Sequence, residues 1–168
     1  TKLSDSLQYF IDACICGSFP EISINHKIDS ETWYGSYLQT YLERDIRSIY
    51  EIGSLREFQR FLQLLASRCS QLLNLSNLSS DLGISVNTIK KWLSILEASQ
   101  IIYLLPPYYN NLGKRITRSP KIYFTDCGLI AYLTRLTLPE HIIDGPIAGA
   151  LFENYCIQEL LKFYFNSG

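Results

Sequence analysis

Apolar residues at Leu3, Leu7, Phe10, Ile11 and Cys14 recur every three or four positions, which predicts a helix over 3–15 that Gly17 and Pro20 close. A polar loop with His26 and Asp29 follows. Trp33, Tyr34, Tyr37, Leu38, Tyr41, Leu42, Ile46 and Ile49 then predict a second helix of about four turns. Its polar face offers Glu43, Arg44, Asp45 and Arg47, read as a solvated face with intrahelical ion pairs. Gly53 and Ser54 interrupt the pattern, and Leu55, Phe58, Phe61, Leu62, Leu65, Ala66 and Cys69 predict a third helix.

Asn74 or Ser76 can cap a short helix that Gly83 ends by supplying a left-handed residue. Ser85 then caps a longer one, 86–99, with Ile89, Trp92, Leu93 and Leu96 inward and Asn87, Lys90, Lys91, Ser94 and Glu97 outward. Short helix, glycine turn, long helix is a helix-turn-helix pattern. The period then changes: 101–105 and 122–124 are rich in β-branched and aromatic residues and predict two strands joined by a long loop, 106–120. Placed directly after the turn motif, they read as the wing of a winged helix. A helix-like segment over 126–136, breaks at Pro139 and Gly145-Pro146, and a final helix over 147–164 complete the chain. The expected fold class is mainly α with a small β component: a helical linker over 1–52, a winged-helix domain over 53–126, and a helical connection with a last helix over 127–168.

At 168 residues the chain has the length of one domain, and with 47% hydrophobic and only 18% charged residues it is no disordered tail. Its apolar runs fall far short of the ~20 residues that a membrane helix needs, so no membrane partner is expected. Fifteen basic against sixteen acidic residues give a net charge of −1, which excludes attraction of the whole molecule to nucleic acid and demands a local patch. Five cysteines without a C-x-x-C pair, far in sequence from the two histidines, read as reduced, buried thiols of a cytoplasmic protein rather than a zinc site. The chain lacks an initiating methionine and stops just after an apolar stretch, as expected of a piece of a longer protein.

Several strings carry a resemblance: Gly17-Ser18-Phe19-Pro20-Glu21; Tyr41-Leu42-Glu43-Arg44-Asp45-Ile46; Leu82-Gly83-Ile84-Ser85 with Thr88; Lys114-Arg115 followed by Ser119-Pro120-Lys121-Ile122-Tyr123-Phe124-Thr125-Asp126-Cys127-Gly128-Leu129; and Gly149-Ala150-Leu151-Phe152-Glu153-Asn154. In this order they resemble the domain of unknown function that follows the ATPase module in a large group of prokaryotic AAA-type ATPases. The resemblance implies a parent protein that binds ATP and Mg, whose ATPase module lies before this segment and is its partner. It also implies a nuclease-like α/β domain, similar to the restriction-endonuclease fold, which the final helix opens and of which the rest is missing. Glu153 would serve a metal only with that missing core. Arg44 and Asp45 are singled out as candidates for coupling to the ATPase. The sequence departs from the family pattern at Ser18 and Ser70, where the family usually has Gly, and at Ser79, where it usually has Ala.

The segment lacks G-x-x-x-x-G-K-[ST], and Gly17 to Glu21 lacks the lysine of a phosphate loop, so no enzyme activity and no cofactor are expected of it alone. The chemistry on offer is nucleic-acid contact. Ser85, Asn87, Thr88, Lys90 and Lys91 form the recognition face, and the wing brings Lys114, Arg115, Arg118 and Lys121, with no acidic residue between 99 and 124. Roughly six phosphate contacts would give a log-affinity versus log-salt slope near about −5. The competing reading is a module that docks proteins or oligomerises, because the final helix, with Ile147, Leu151, Phe152, Tyr155, Leu160, Leu161 and Phe163, is too apolar to stay solvated.

Overall fold

The computed structural model describes residues 2–25, 27–42, 54–108 and 118–166. It is mainly helical with one two-stranded antiparallel sheet. The first helix, α1 (Lys2–Ile15), buries Phe10, Ile11 and Cys14. The loop expected after it holds a short helix, α2 (Pro20–Ile24), because Pro20 at the first helical position has the required φ and no N–H to lose. Helix α3 (Ser30–Thr40) starts earlier than the apolar pattern suggests, since Asp29 caps it by accepting from the Thr32 N–H at 2.8 Å. Tyr41 and Leu42 continue it into the core, and the predicted second helix from residue 43 on, with Arg44 and Asp45, lies outside the described residues.

Ser54 caps α4 (Leu55–Ser67), whose Phe58, Phe61, Leu62, Leu65 and Ala66 are buried. Asn74 caps α5 (Leu75–Leu82), and Gly83, at φ 70°, ends it as expected. Ser85 caps α6 (Val86–Ala98), which buries Ile95 besides the four expected positions. Strand β1 (Ile102–Leu105) pairs with β2 (Lys121–Phe124), Ile102 opposite Phe124 and Leu105 opposite Lys121. The residues between α4 and α5 line the outer side of β2: the Ser70 N–H donates to the Ile122 carbonyl at 2.8 Å, and the Ile122 N–H to the Gln71 carbonyl at 3.0 Å.

Asp126 then caps α7 (Cys127–Thr134), which is apolar on all sides and sits at the centre of the molecule, packed chiefly against α1 and α4. Pro139 was expected as a break. It instead occupies the first turn of α8 (Pro139–Asp144), for the same reason as Pro20. Helix α9 (Ala148–Asn166) lies against α7, α8, β2 and α1. One continuous apolar core, from Phe10 to Leu151, runs through residues of all three segments into which the sequence divides. At its turn-motif end, Phe58, Phe61 and Trp92 meet with ring centroids 5.3–6.0 Å apart.

Candidate nucleic-acid interface and a buried polar joint

The face of α6 expected to read nucleic acid is open to solvent. Helix α6 packs on α5 and β1 with its apolar stripe, which leaves Asn87, Lys90, Lys91, Ser94 and Glu97 exposed. Among the described residues neither lysine makes an ion pair. Ser85 and Thr88 are partly spent on the helix start: the Thr88 N–H donates to Ser85 Oγ at 3.1 Å, and the two hydroxyls lie 2.9 Å apart. The capped start places free backbone N–H groups and the positive end of the helix dipole beside the same face.

The residues expected on a wing divide. Arg118 is exposed. Lys114 and Arg115 lie outside the described residues. Lys121 is committed: its Nζ donates to Glu153 Oε1 on α9 at 2.7 Å, and the Tyr123 hydroxyl donates to the same oxygen at 2.6 Å. Partial burial works against the Glu153 charge, yet the hydrogen bonds from Lys121 and Tyr123 and the ammonium charge outweigh it and hold the carboxyl below its ordinary value. Burial and the bond to Glu153 push the Tyr123 phenol up. Among the described residues no three His, Cys, Asp or Glu side chains come together to hold a metal.

A second polar cluster is buried, and sequence reasoning assigned it no role. Asp126, 3% exposed, accepts from the Ser18 N–H and Ser18 Oγ, both at 2.8 Å, from the Leu129 N–H at 2.8 Å, and from the Tyr34 hydroxyl. Burial and the Asp126 charge push the Tyr34 phenol up, so it remains a donor. Gln158 on α9 accepts from the Cys127 N–H at 2.8 Å and donates to Ser18 Oγ at 3.1 Å. Asn154 accepts from the Phe124 N–H at 2.8 Å and donates to the Phe124 carbonyl at 2.9 Å, giving the free edge of β2 what a third strand would give it. Two glycines let the backbones approach. A Cβ on Gly128 would stand 2.6 Å from the Gly17 Cα, and one on Gly17, at φ 75°, would overlap the Tyr34 hydroxyl.

Three of the strings quoted above, around Ser18, Asp126 and Asn154, thus meet in one joint. The sequence marks Tyr34 only as a core position and leaves Gln158 outside its apolar pattern. The available signal was two amide side chains, Asn154 and Gln158, one turn apart on the face of α9 that carries Leu151 inward. The three serines that depart from the family pattern each bond: Ser18 to Asp126, Ser70 Oγ to the Ala150 carbonyl at 2.7 Å, and Ser79 Oγ to the Ile84 carbonyl. The buried cysteines are packing thiols. Burial lifts Cys69 to about 12, and a hydrogen bond with Cys14 together with burial raises Cys127.

No helix among the described residues is long and apolar enough to cross a membrane. The chain is 29% identical over 141 residues to uncharacterized protein Rv2008c of Mycobacterium tuberculosis, and equally to uncharacterized protein Mb2031c of Mycobacterium bovis. Each alignment takes in 84% of this chain and 32% of the relative, so the chain spans about a third of the length of the curated relatives it matches. No solved structure matches it significantly. Residues 7–140 match the family described as a domain of unknown function, DUF8612; that stretch takes in Ser18, Tyr34 and Asp126 of the joint as well as the whole of α6, and the chain belongs to this family.

Proposed function

We propose that this segment is a winged-helix module that contacts DNA and couples that contact to an ATPase module elsewhere in the same protein. The observation that carries the reading is the exposed face of α6, where Asn87, Lys90 and Lys91 stand free beside a capped helix start. Arg118 and the sequence positions Lys114 and Arg115 add cations on the wing side. The string resemblance to AAA-type ATPases, together with relatives about three times as long as the matched stretch, supports a larger parent that supplies ATP and Mg. Five free thiols, of which Cys14, Cys69 and Cys127 are buried while Cys156 is exposed against expectation, favour the cytoplasm.

Anisotropy titration of labelled mixed-sequence duplex DNA tests the reading. Replacing Lys90 and Lys91 together by alanine is expected to weaken binding at least tenfold in low salt, while leaving the thermal melt unchanged because both side chains are solvated. Binding unaffected by that change removes α6 from the interface. Coupling through Arg44 and Asp45 predicts that Asp45→Asn alters ATP turnover of the full-length protein, and unaffected turnover counts against it.

A second reading, docking or self-association, is favoured by one observation. Phe152, Leu160, Tyr164 and Phe165 of α9 are exposed, each by more than half. Under that reading DNA affinity is absent or flat with salt, and light scattering gives a multiple of the chain mass.

A further inference from the structure

We infer that Glu153 is an electrostatic brake on the wing, which keeps Lys121 out of the nucleic-acid interface for as long as its carboxylate holds the ammonium. This rests on the DNA reading above. Lys121 stands at the end of β2 that leads into the loop of the wing, opposite Leu105 and bridged to Leu72. Its ammonium is neutralised by a residue of another element, the Glu153 carboxylate on α9, at 2.7 Å. The Tyr123 hydroxyl, two residues along the same strand, holds the same oxygen at 2.6 Å, so the carboxylate is aimed at the strand by two donors.

The helix that carries Glu153 is fixed. Leu151 and Asn154 on either side are fully buried, and Asn154 is bonded to both backbone groups of Phe124. Lys121 and Glu153 are 39% and 42% exposed, so the ammonium is within reach of a polyanion once the carboxylate is removed. A phosphate approaching the base of the wing meets a lysine whose charge is already balanced, so no cation is released from the DNA there, and a carboxylate that repels it. Helix α9 thereby sets how many phosphates the wing can neutralise.

The test compares wild type, Glu153→Gln, Glu153→Ala and Lys121→Gln in binding to the same duplex across a salt series, with each melt recorded. Removing the carboxylate is expected to tighten binding about five- to tenfold at about 0.1 M salt and to steepen the log-log slope by about 0.9, one added phosphate contact. Lys121→Gln is expected to bind no tighter than wild type. Three results overturn the brake. If neither Glu153 variant changes affinity or slope while loss of Lys90 and Lys91 still weakens binding, the brake is wrong and the DNA reading stands. If Lys121→Gln tightens binding as much as the Glu153 variants, the contact acts by stiffening the wing and not by charge. If no form binds, the DNA reading fails and the brake with it.

Discussion

Asp126 takes four hydrogen bonds, donated by Ser18, by Tyr34 and by the first turn of its own helix, in a site almost closed to water. Alanine there leaves four buried donors without an acceptor, and at about 1–3 kcal/mol each, with partial relaxation, the expected loss is about 4 kcal/mol in urea unfolding. Asn, which keeps the shape and one acceptor oxygen, is expected to lose about half of that. Equal stability of all three forms would mean that the joint is ornamental. Ser70 offers the opposite case. It sits at φ 60°, a left-handed conformation that costs a non-glycine residue about 1 kcal/mol, and its bond to the Ala150 carbonyl returns a similar amount. Ser70→Gly is therefore expected to melt within about 1 kcal/mol of wild type. The hint in the sequence was the departure from a glycine that the resemblance to the ATPase-associated domain implies; the left-handed conformation behind it is visible only in the fold. Ser18 and Asp126 were legible as members of quoted strings, but their meeting was not, because 108 residues separate them and only the fold closes that distance.

At the scale of elements, helix periodicity located α1, α4, α6 and α9 well, since each buries a stripe whose spacing can be counted. It failed at the short helices α2 and α8, where proline was read as a stop and acts as a start. It also missed how α9 is seated. The apolar helix is expected to self-associate, and its outer side does keep Phe152 and Leu160 exposed; what the pattern did not show is that its Asn154 and Gln158 side turns inward and completes the hydrogen bonding of β2 and of the start of α7. Apolar count alone cannot announce that, because the seat is made by polar groups. The Lys121–Glu153 contact between β2 and α9 predicts a pH dependence. The Glu153 carboxyl is held below its ordinary value in the folded chain, so its contribution is complete above the unfolded value of about 4.3 and vanishes as pH falls through the folded one. With both partners part-exposed the contribution is small. Acid titration of the melt is expected to show wild type above Glu153→Gln at pH 6 and the two converging below about pH 4; a gap that persists in acid would assign the difference to packing.

For the whole molecule, a single core joins the entry helices, the turn motif and the last helix, with the all-apolar α7 at its centre. Its composition was readable from the sequence, but not the central place of α7, which eight residues with no polar face betray only in hindsight. The core buries one side of α6 and leaves its Asn87, Lys90 and Lys91 face on the solvent side, where the proposed DNA contact would be made. The most direct measurement is the salt dependence of the affinity for mixed-sequence duplex DNA. Lys90, Lys91, Lys114, Arg115 and Arg118, with Lys121 held by Glu153, predict a log-log slope of about −4.5. A slope near zero, or no binding in low salt, would contradict it.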